Sequence, residues 1–336
     1  MERLNNAFTL FLSLMVEAFP FLLLGVLFSS LLLVFVDERR LVAILPKNPV
    51  LGAIMGSLIG CVFPVCECGN VPVARRLIMQ GAPSSVAVGF LLAAPTINPI
   101  VFASTKTAFR DQPEIVFLRF GISLMIAILV GLVFSVQKDL RPILQPSLAR
   151  MLPRSRMEQA GVSPLLQSGT FILGSVGQPL RMDTTEFQGA ILAANTVGKS
   201  AADRWNLLLE NMIQELRELG SVLVLGSAIA ALIQVFAPRE VILSLGQGPV
   251  TSILAMMTLA AVVSICSTVD AFFALSFAST FTTGSLLSFL VFGPMIDLKG
   301  IGLMLSIFQT RAVVYLFGLA GLLTFLSTLF LNLYVS

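Results

Sequence analysis

Eight long apolar runs constrain this chain more than any other feature of its sequence. Four precede a polar central region and four follow it. The runs are Phe8–Val36, Val50–Pro64, Ser84–Ser104, Val116–Val136, Leu219–Phe236, Val250–Ile265, Gly284–Phe308 and Ala312–Val335. Because crossing about 30 Å of hydrocarbon takes roughly 20 helical residues, the pattern predicts an all-α polytopic protein of the cell membrane.

The composition supports a membrane protein and excludes several function classes. Hydrophobic residues make up 56% of the chain and charged residues only 12%, whereas soluble domains carry about 25% charged residues. The chain has no histidine, which rules out Ser-His-Asp and Cys-His catalysis and any imidazole metal site. It also has no GxxxxGK[ST] phosphate-binding motif, so transport would be secondary or would need a partner. We expect neither an enzyme nor a cofactor.

The two halves of the chain repeat each other in order. Matched segments lie 199 to 201 residues apart, and they include the apolar runs and the polar breaks between them. The matches are Leu22–Gly25 with Leu223–Gly226, Pro49–Val50 with Pro249–Val250, Cys66 with Cys266, Asn70 with Asp270, and Pro95–Asn98 with Pro294–Asp297. Repeats with interrupted apolar segments are typical of secondary transporters. We predict membrane repeats at 1–136 and 218–336, with a cytoplasmic loop or small subdomain at 137–217.

The second apolar run is short for a membrane crossing. Val50–Pro64 has 15 residues, so a re-entrant hairpin fits better, with Val65–Asn70 turning and Val71–Gln80 returning. Val250–Ile265 and Asp270–Thr280 would form the counterpart. Three crossings per half would then remain, which makes the halves inverted relative to each other. Eight crossings with parallel halves is the alternative that the sequence leaves open.

Three of the four cysteines cluster at the first break, in the stretch CVFPVCECGNVPVARR. Cys66 and Cys68 form a C-x-C pair, a spacing that disfavours a disulfide between them but allows both sulfurs to hold a soft ion transiently. Cys266, at the matching break of the second half, is a further candidate for binding the substrate. Two other interpretations are open: the thiols pack as small apolar groups, or they join Cys61 in a four-ligand zinc site.

Polar residues mark the same breaks. Ionisable groups at membrane depth cost roughly 3 kcal/mol or more, so they usually line a pathway or pair with one another. The candidates for lining a substrate path are Asn70, Asn98, Asp270 and Asp297. Glu17, inside the first apolar run, and Glu67, between the thiols, are the candidates for proton coupling. The alternative is that these groups lie at the membrane surface.

Several of these segments resemble a known family. FPVCECGNVPVARRL, GAPSSVAVGFLLAAPTINPI, CSTVDAFFALSFASTF and FLVFGPMIDLKG are similar to predicted permeases of the YraQ/UPF0718 type, which include the ArsP-like organoarsenical efflux permeases. The resemblance covers both halves and not the central region. It implies a permease whose substrate is thiol-reactive, such as a trivalent organoarsenical. The family usually has a small residue where this chain has Glu67, and a carboxylate there could favour a divalent cation.

We therefore predict a permease for a soft, thiol-reactive or metal-like small solute. A permease for divalent metals or sulfur compounds is the nearest alternative. A membrane thiol oxidoreductase using Cys66 and Cys68 is a rival from another class. A third hypothesis is a structural membrane subunit whose central region at 137–217 binds a soluble partner. Self-association into a homo-oligomer is also open, and no nucleic-acid partner is expected.

Overall fold

A computed structural model describes residues 2–35, 46, 48–63, 66–136, 143–149, 171–173, 179–181, 201–236, 248–278 and 280–334. Helices dominate these residues. In chain order they are α1 Glu2–Phe35, α2 Pro49–Val62, α3 Glu67–Met79, α4 Ser84–Ala93, α5 Pro99–Ala108, α6 Pro113–Ser135, α7 Pro146–Ala149, α8 Ala201–Phe236, α9 Pro249–Val263, α10 Asp270–Leu275, α11 Thr283–Met295, α12 Leu298–Leu305 and α13 Thr310–Tyr334.

The predicted multi-pass membrane protein is confirmed by the lengths and compositions of these helices. Five segments are long and apolar enough to cross a membrane: Asn5–Leu31, Pro113–Ser135, Leu208–Ile233, Thr283–Leu305 and Thr310–Tyr334. Three shorter apolar helices are α2, α4 and α9. Several helices start where the sequence supplies a proline at the first helical position, as at Pro49, Pro99, Pro113 and Pro249, because the missing amide would be unpaired there anyway.

Helices α1 and α8 pack against each other and run in opposite directions. Near the end of α1, Ser29 Oγ donates a hydrogen bond of 3.1 Å to Glu215 Oε1, early in α8. Towards the start of α1, Leu14 packs with Ala230 and Ala231, which lie late in α8. The start of each helix therefore lies beside the end of the other, and the two helices are antiparallel.

Glycines bring α2 and α4 into backbone contact. A Cβ at Gly52 would meet Ser85 and a Cβ at Gly60 would meet Ala94, so the two helices run parallel. A Cβ at Gly56, midway, would overlap the Val86 carbonyl. Small residues every fourth position are how apolar helices approach closely without a hydrophobic driving force.

Helix α3 reverses the direction of α2. Asn70 Nδ2, early in α3, donates a 2.7 Å hydrogen bond to Leu91 O, late in α4, so these two helices are antiparallel. Since α2 is parallel to α4, α2 and α3 must run in opposite directions. The chain therefore turns back between Val62 and Glu67. Pro64 and Val65, which the sequence placed in this turn, lie outside the described residues.

In the second half, α9 and α11 make the matching parallel contact, but through serine side chains. Ser285 Oγ on α11 donates a 3.0 Å hydrogen bond to Ser252 Oγ on α9, and a Cβ at Gly293 would meet Ala260. These pairs stand in the same register as Gly52 with Ser85 in the first half. Serine hydrogen bonds here take the place of the glycine contacts.

The central region is only partly described. Phe171–Leu173 and Pro179–Arg181 form an antiparallel pair of short strands, β1 and β2. Helix α8 begins at Ala201, well before the predicted boundary at residue 217. Ile143 and Leu144 are buried, and the segment is held to the second half by Gln145 N donating to Ile307 O at 2.8 Å and Gln309 N donating to Ile143 O at 2.7 Å. The division at 137–217 stays a prediction.

Candidate functional site

The first break holds a thiol at its turn. Helix α2 ends at Val62, Cys66 has extended backbone, and α3 begins at Glu67. The Cys66 carbonyl accepts hydrogen bonds from the amides of Gly69 and Asn70, at 3.0 and 3.1 Å, which starts the new helix. Cys66, Cys68 and Glu67 are thereby fixed at the start of α3, and all three side chains are buried.

The second break is built the same way. Helix α9 ends at Val263 and is followed by Ser264, whose backbone adopts the left-handed conformation with φ 48°. The Cys266 carbonyl accepts from the amides of Val269 and Asp270, at 2.9 and 3.0 Å. Helix α10 begins at Asp270. These bonds match those of Cys66 residue for residue at the offset of 200.

The two breaks meet at their thiols. Cys66 lies in hydrogen-bonding contact with both Cys266 and Cys68, and all three are free, buried thiols. Cys61 is a half-buried thiol on α2. No three Cys, Asp or Glu side chains of the described part of the chain converge as ligands for one metal ion. Cys66, Cys68 and Cys266 therefore form a thiol cluster that is closed to solvent in this conformation.

A buried lysine stands beside the first break. Lys299, on α12, is 1% exposed, and its Nζ lies 3.6 Å from Glu67 Oε1 and 3.8 Å from Asp297 Oδ2. Both distances are long for a charge-assisted hydrogen bond, which is usually about 2.8 Å. Among the described residues, no hydrogen-bond donor reaches Glu67 Oε2 or Asn70 Oδ1. The ammonium group thus lies between two carboxylates, and each of them has one oxygen without a hydrogen bond from the described residues.

A tight ion pair holds the second break. Arg119, on α6, is fully buried, and its Nη1 and Nη2 donate to Asp270 Oδ1 and Oδ2 at 3.1 and 2.6 Å. Nη1 also donates to Thr105 Oγ1, on α5, at 2.8 Å. A bidentate guanidinium–carboxylate pair is the strongest form of this contact. Asp270 is consequently engaged by the first half of the chain.

Two predicted path residues cap helices. Asn98 Oδ1 accepts from Val101 N at 2.9 Å and starts α5, while its Nδ2 donates to Ala94 O at 3.0 Å. Asp297 Oδ1 accepts from Gly300 N at 2.6 Å and starts α12. Both side chains are buried, and the two caps occupy matching positions of the two halves. Their place on a substrate path stays a prediction.

Of the thiols and carboxylates named from the sequence, five lie at or beside the contact between the two breaks: Cys66, Cys68, Cys266, Glu17 and Glu67. Glu17, on α1, faces the Cys266 thiol and the charges of Lys299 and Glu67. Two buried cations, Arg119 and Lys299, also lie at the breaks and were not among the residues predicted from the sequence. Arg119 lies near the start of the apolar run Val116–Val136, where a basic residue usually marks the membrane surface, but Lys299 lies inside the run Gly284–Phe308, where a basic residue indicates a buried partner.

Comparisons with known proteins give the chain relatives over nearly its whole length. The family model ArsP_1, described as a predicted permease, matches residues 3–333. The UPF0718 protein YcgR of Bacillus subtilis is 37% identical over 92% of this chain and 90% of its own. A protein of Streptococcus mutans named "Putative two-component membrane permease complex subunit" is 31% identical over 94% of this chain and 91% of its own. No solved structure matches significantly.

Proposed function

Because the chain belongs to the ArsP_1 family of predicted permeases, we propose that it is a secondary transporter whose substrate binds at the thiol cluster. The substrate class we propose is a soft, thiol-reactive small solute, such as a trivalent organoarsenical. The contact of Cys66 with Cys68 and Cys266, at the junction of both helix breaks, carries this proposal. Two sulfurs hold such a solute firmly, and the lack of a closed four-ligand cage lets it leave again.

The directions of the helices support an inverted repeat. The matched helices α1 and α8 are antiparallel, as three crossings per half require; four crossings per half would make them parallel. The parallel pairs α2–α4 and α9–α11 share one register, as repeated units would. We propose that α2 with α3, and α9 with α10, are re-entrant segments whose turns meet at mid-membrane.

Cysteine labelling tests this path. Asn48, at the start of α2, and Met79, at the end of α3, are each replaced by cysteine in a chain whose four native cysteines are serine. A membrane-impermeant maleimide should label both positions from the same side. Labelling from opposite sides would contradict the re-entrant path and, with it, the inverted repeat.

Transport itself is tested in liposomes that contain the purified chain. The panel is methylarsenite, arsenite, Zn²⁺ and thiosulfate, with empty liposomes as the control. We expect saturable movement of methylarsenite. Movement of Zn²⁺ or thiosulfate alone would favour the alternative permeases. A Cys66–Cys68 disulfide that forms and is reduced in each turnover with a quinone would favour the oxidoreductase.

A partner protein is a further part of the proposal. The Streptococcus mutans relative is named as a subunit of a two-component permease complex. We propose that this chain also binds a second protein, at the central region 137–217, which increases the transport that the chain carries out alone. Full transport by the chain alone in liposomes would show that such a partner is not needed for transport.

A further inference from the structure

The carboxylate between the two thiols is already occupied by a positive charge. Glu67 alone would make the thiol site attractive to a metal cation. In the structure, however, Glu67 Oε1 is 3.6 Å from Lys299 Nζ, and the lysine is 1% exposed. Water therefore does not screen the ammonium charge, and a like charge nearby is repelled more strongly than it would be at a surface.

We propose that Lys299 is a specificity-determining residue of the thiol site, which disfavours metal cations at Cys66 and Cys68 and leaves the thiols to uncharged solutes. The inference rests on the proposed function, since it presupposes that these thiols bind the substrate. The new element is that one residue of the second half of the chain, Lys299, determines whether the site binds a cation or an uncharged solute.

The surroundings of Lys299 determine what its removal would do. The groups that act on it come from α1, α3 and the turn before α12, and they are Glu17, Glu67, Cys68 and Asp297. Helix α8 packs against the lysine with the backbone of Gly226. Without the ammonium group, the negative charges of Glu17, Glu67 and Asp297 would no longer be offset by it. The affinity of the thiols for a cation should then rise.

An uncharged arsenical is insensitive to this charge. Phenylarsine oxide reacts with two thiols: two As–S bonds form, the As–O bond breaks, and the oxygen leaves as water with both thiol protons. Arsenic keeps its oxidation state, and the adduct carries no charge. Two thiols suffice, in keeping with the absence of three converging metal ligands among the described side chains.

The test compares two probes on the purified protein in detergent. Binding of Cd²⁺ and of phenylarsine oxide is measured for the natural chain, Lys299→Gln and Lys299→Arg. Like charges side by side in a buried site cost several kcal/mol, so Lys299→Gln should bind Cd²⁺ at least about tenfold more tightly. Its affinity for phenylarsine oxide should be unchanged, and Lys299→Arg should keep the original preference.

A second variant covers the case in which Lys299→Gln does not fold. Glu67→Gln with Lys299→Gln removes both charges of the pair, while Glu17 still faces Cys266 and Asp297 still lies beside position 299. The preference of this double variant should also move towards Cd²⁺. The role of Lys299 would be overturned if the folded variants still bind phenylarsine oxide but bind Cd²⁺ no more tightly than the natural chain does. If the Cys66→Ser variant and the Cys68→Ser variant each bind phenylarsine oxide as tightly as the natural chain, the proposed function would be overturned instead.

Discussion

The two helix breaks share one backbone design and differ in how their first acidic residue is held. At each break, a cysteine carbonyl starts a new helix that opens near a buried acid, Glu67 or Asp270. Each acid is paired with a cation from the other half of the chain. Arg119 holds Asp270 with two short bonds, whereas Lys299 approaches Glu67 only to 3.6 Å.

This difference shows that the acid of the second break is held more firmly than that of the first. Every oxygen of Asp270 has a donor from Arg119, so the second break is anchored to the first half. At the first break, no hydrogen-bond donor among the described residues reaches Glu67 Oε2 or the side-chain oxygen Oδ1 of Asn70. This break also carries two thiols. We infer that Asp270 has a structural role at the second break, and that the first break together with Cys266 contacts the substrate.

The largest expected effect is the loss of the Arg119 guanidinium. Arg119→Gln leaves Asp270 buried without a cation, which should lower the free energy of unfolding by about 3–5 kcal/mol. The melting temperature in detergent should fall sharply. Arg119→Gln with Asp270→Asn, which leaves no unpaired charge, should recover part of the loss. An unchanged melting temperature of the single variant would show that the second break is not held by this pair.

Glu17 should affect coupling and not folding. Glu17→Gln keeps the shape of the side chain beside Cys266 but cannot carry a proton. We expect that it abolishes transport driven by a pH gradient and leaves phenylarsine oxide binding intact. Uptake into liposomes with and without an imposed gradient measures this. If Glu17→Gln responds to the gradient as the natural chain does, the proton is carried elsewhere, with Glu67 the next candidate.

The glycine and serine contacts of the two halves should differ in tolerance. Gly56→Ala puts a methyl group against the Val86 carbonyl, and overpacking of this kind costs about 1–3 kcal/mol. Ser285→Ala removes a hydrogen bond to Ser252, which is worth about 1 kcal/mol. Thermal unfolding of both variants compares them. A more stable Gly56→Ala would mean that α2 and α4 have room to separate.

The smallest effect is expected at Glu218, the repeat counterpart of Glu17. Glu218 is half-exposed and pairs with Arg75 Nη1 at 3.0 Å. Exposed ion pairs contribute about 0–1 kcal/mol, so Glu218→Gln should change neither stability nor coupling appreciably. A coupling defect as large as that of Glu17→Gln would show that both halves carry protons.

The sequence predicted the positions of the breaks better than their bonding. Pro64 and the cysteine pair located the first turn near Cys66, because a proline breaks a helix locally, and the repeat offset of 200 residues placed the second turn near Cys266. The sequence could not show that Asp270 faces Arg119, since that pair joins residues 151 positions apart on different helices. Asn98 and Asp297 looked like path residues because they are polar and deep, and a capping role satisfies the same pattern. The long α8 was missed because its first turns are polar.

The account depends most on the thiols of the first break, and serine substitution tests them directly. Methylarsenite transport is measured in liposomes with Cys66→Ser, Cys68→Ser, Cys266→Ser and Cys61→Ser, each checked for folded protein by size-exclusion chromatography. We predict that the first two each remove most transport, that Cys266→Ser is intermediate and that Cys61→Ser is mild. Full transport by the Cys66→Ser, Cys68→Ser double variant would contradict the account and leave the thiols a packing role only.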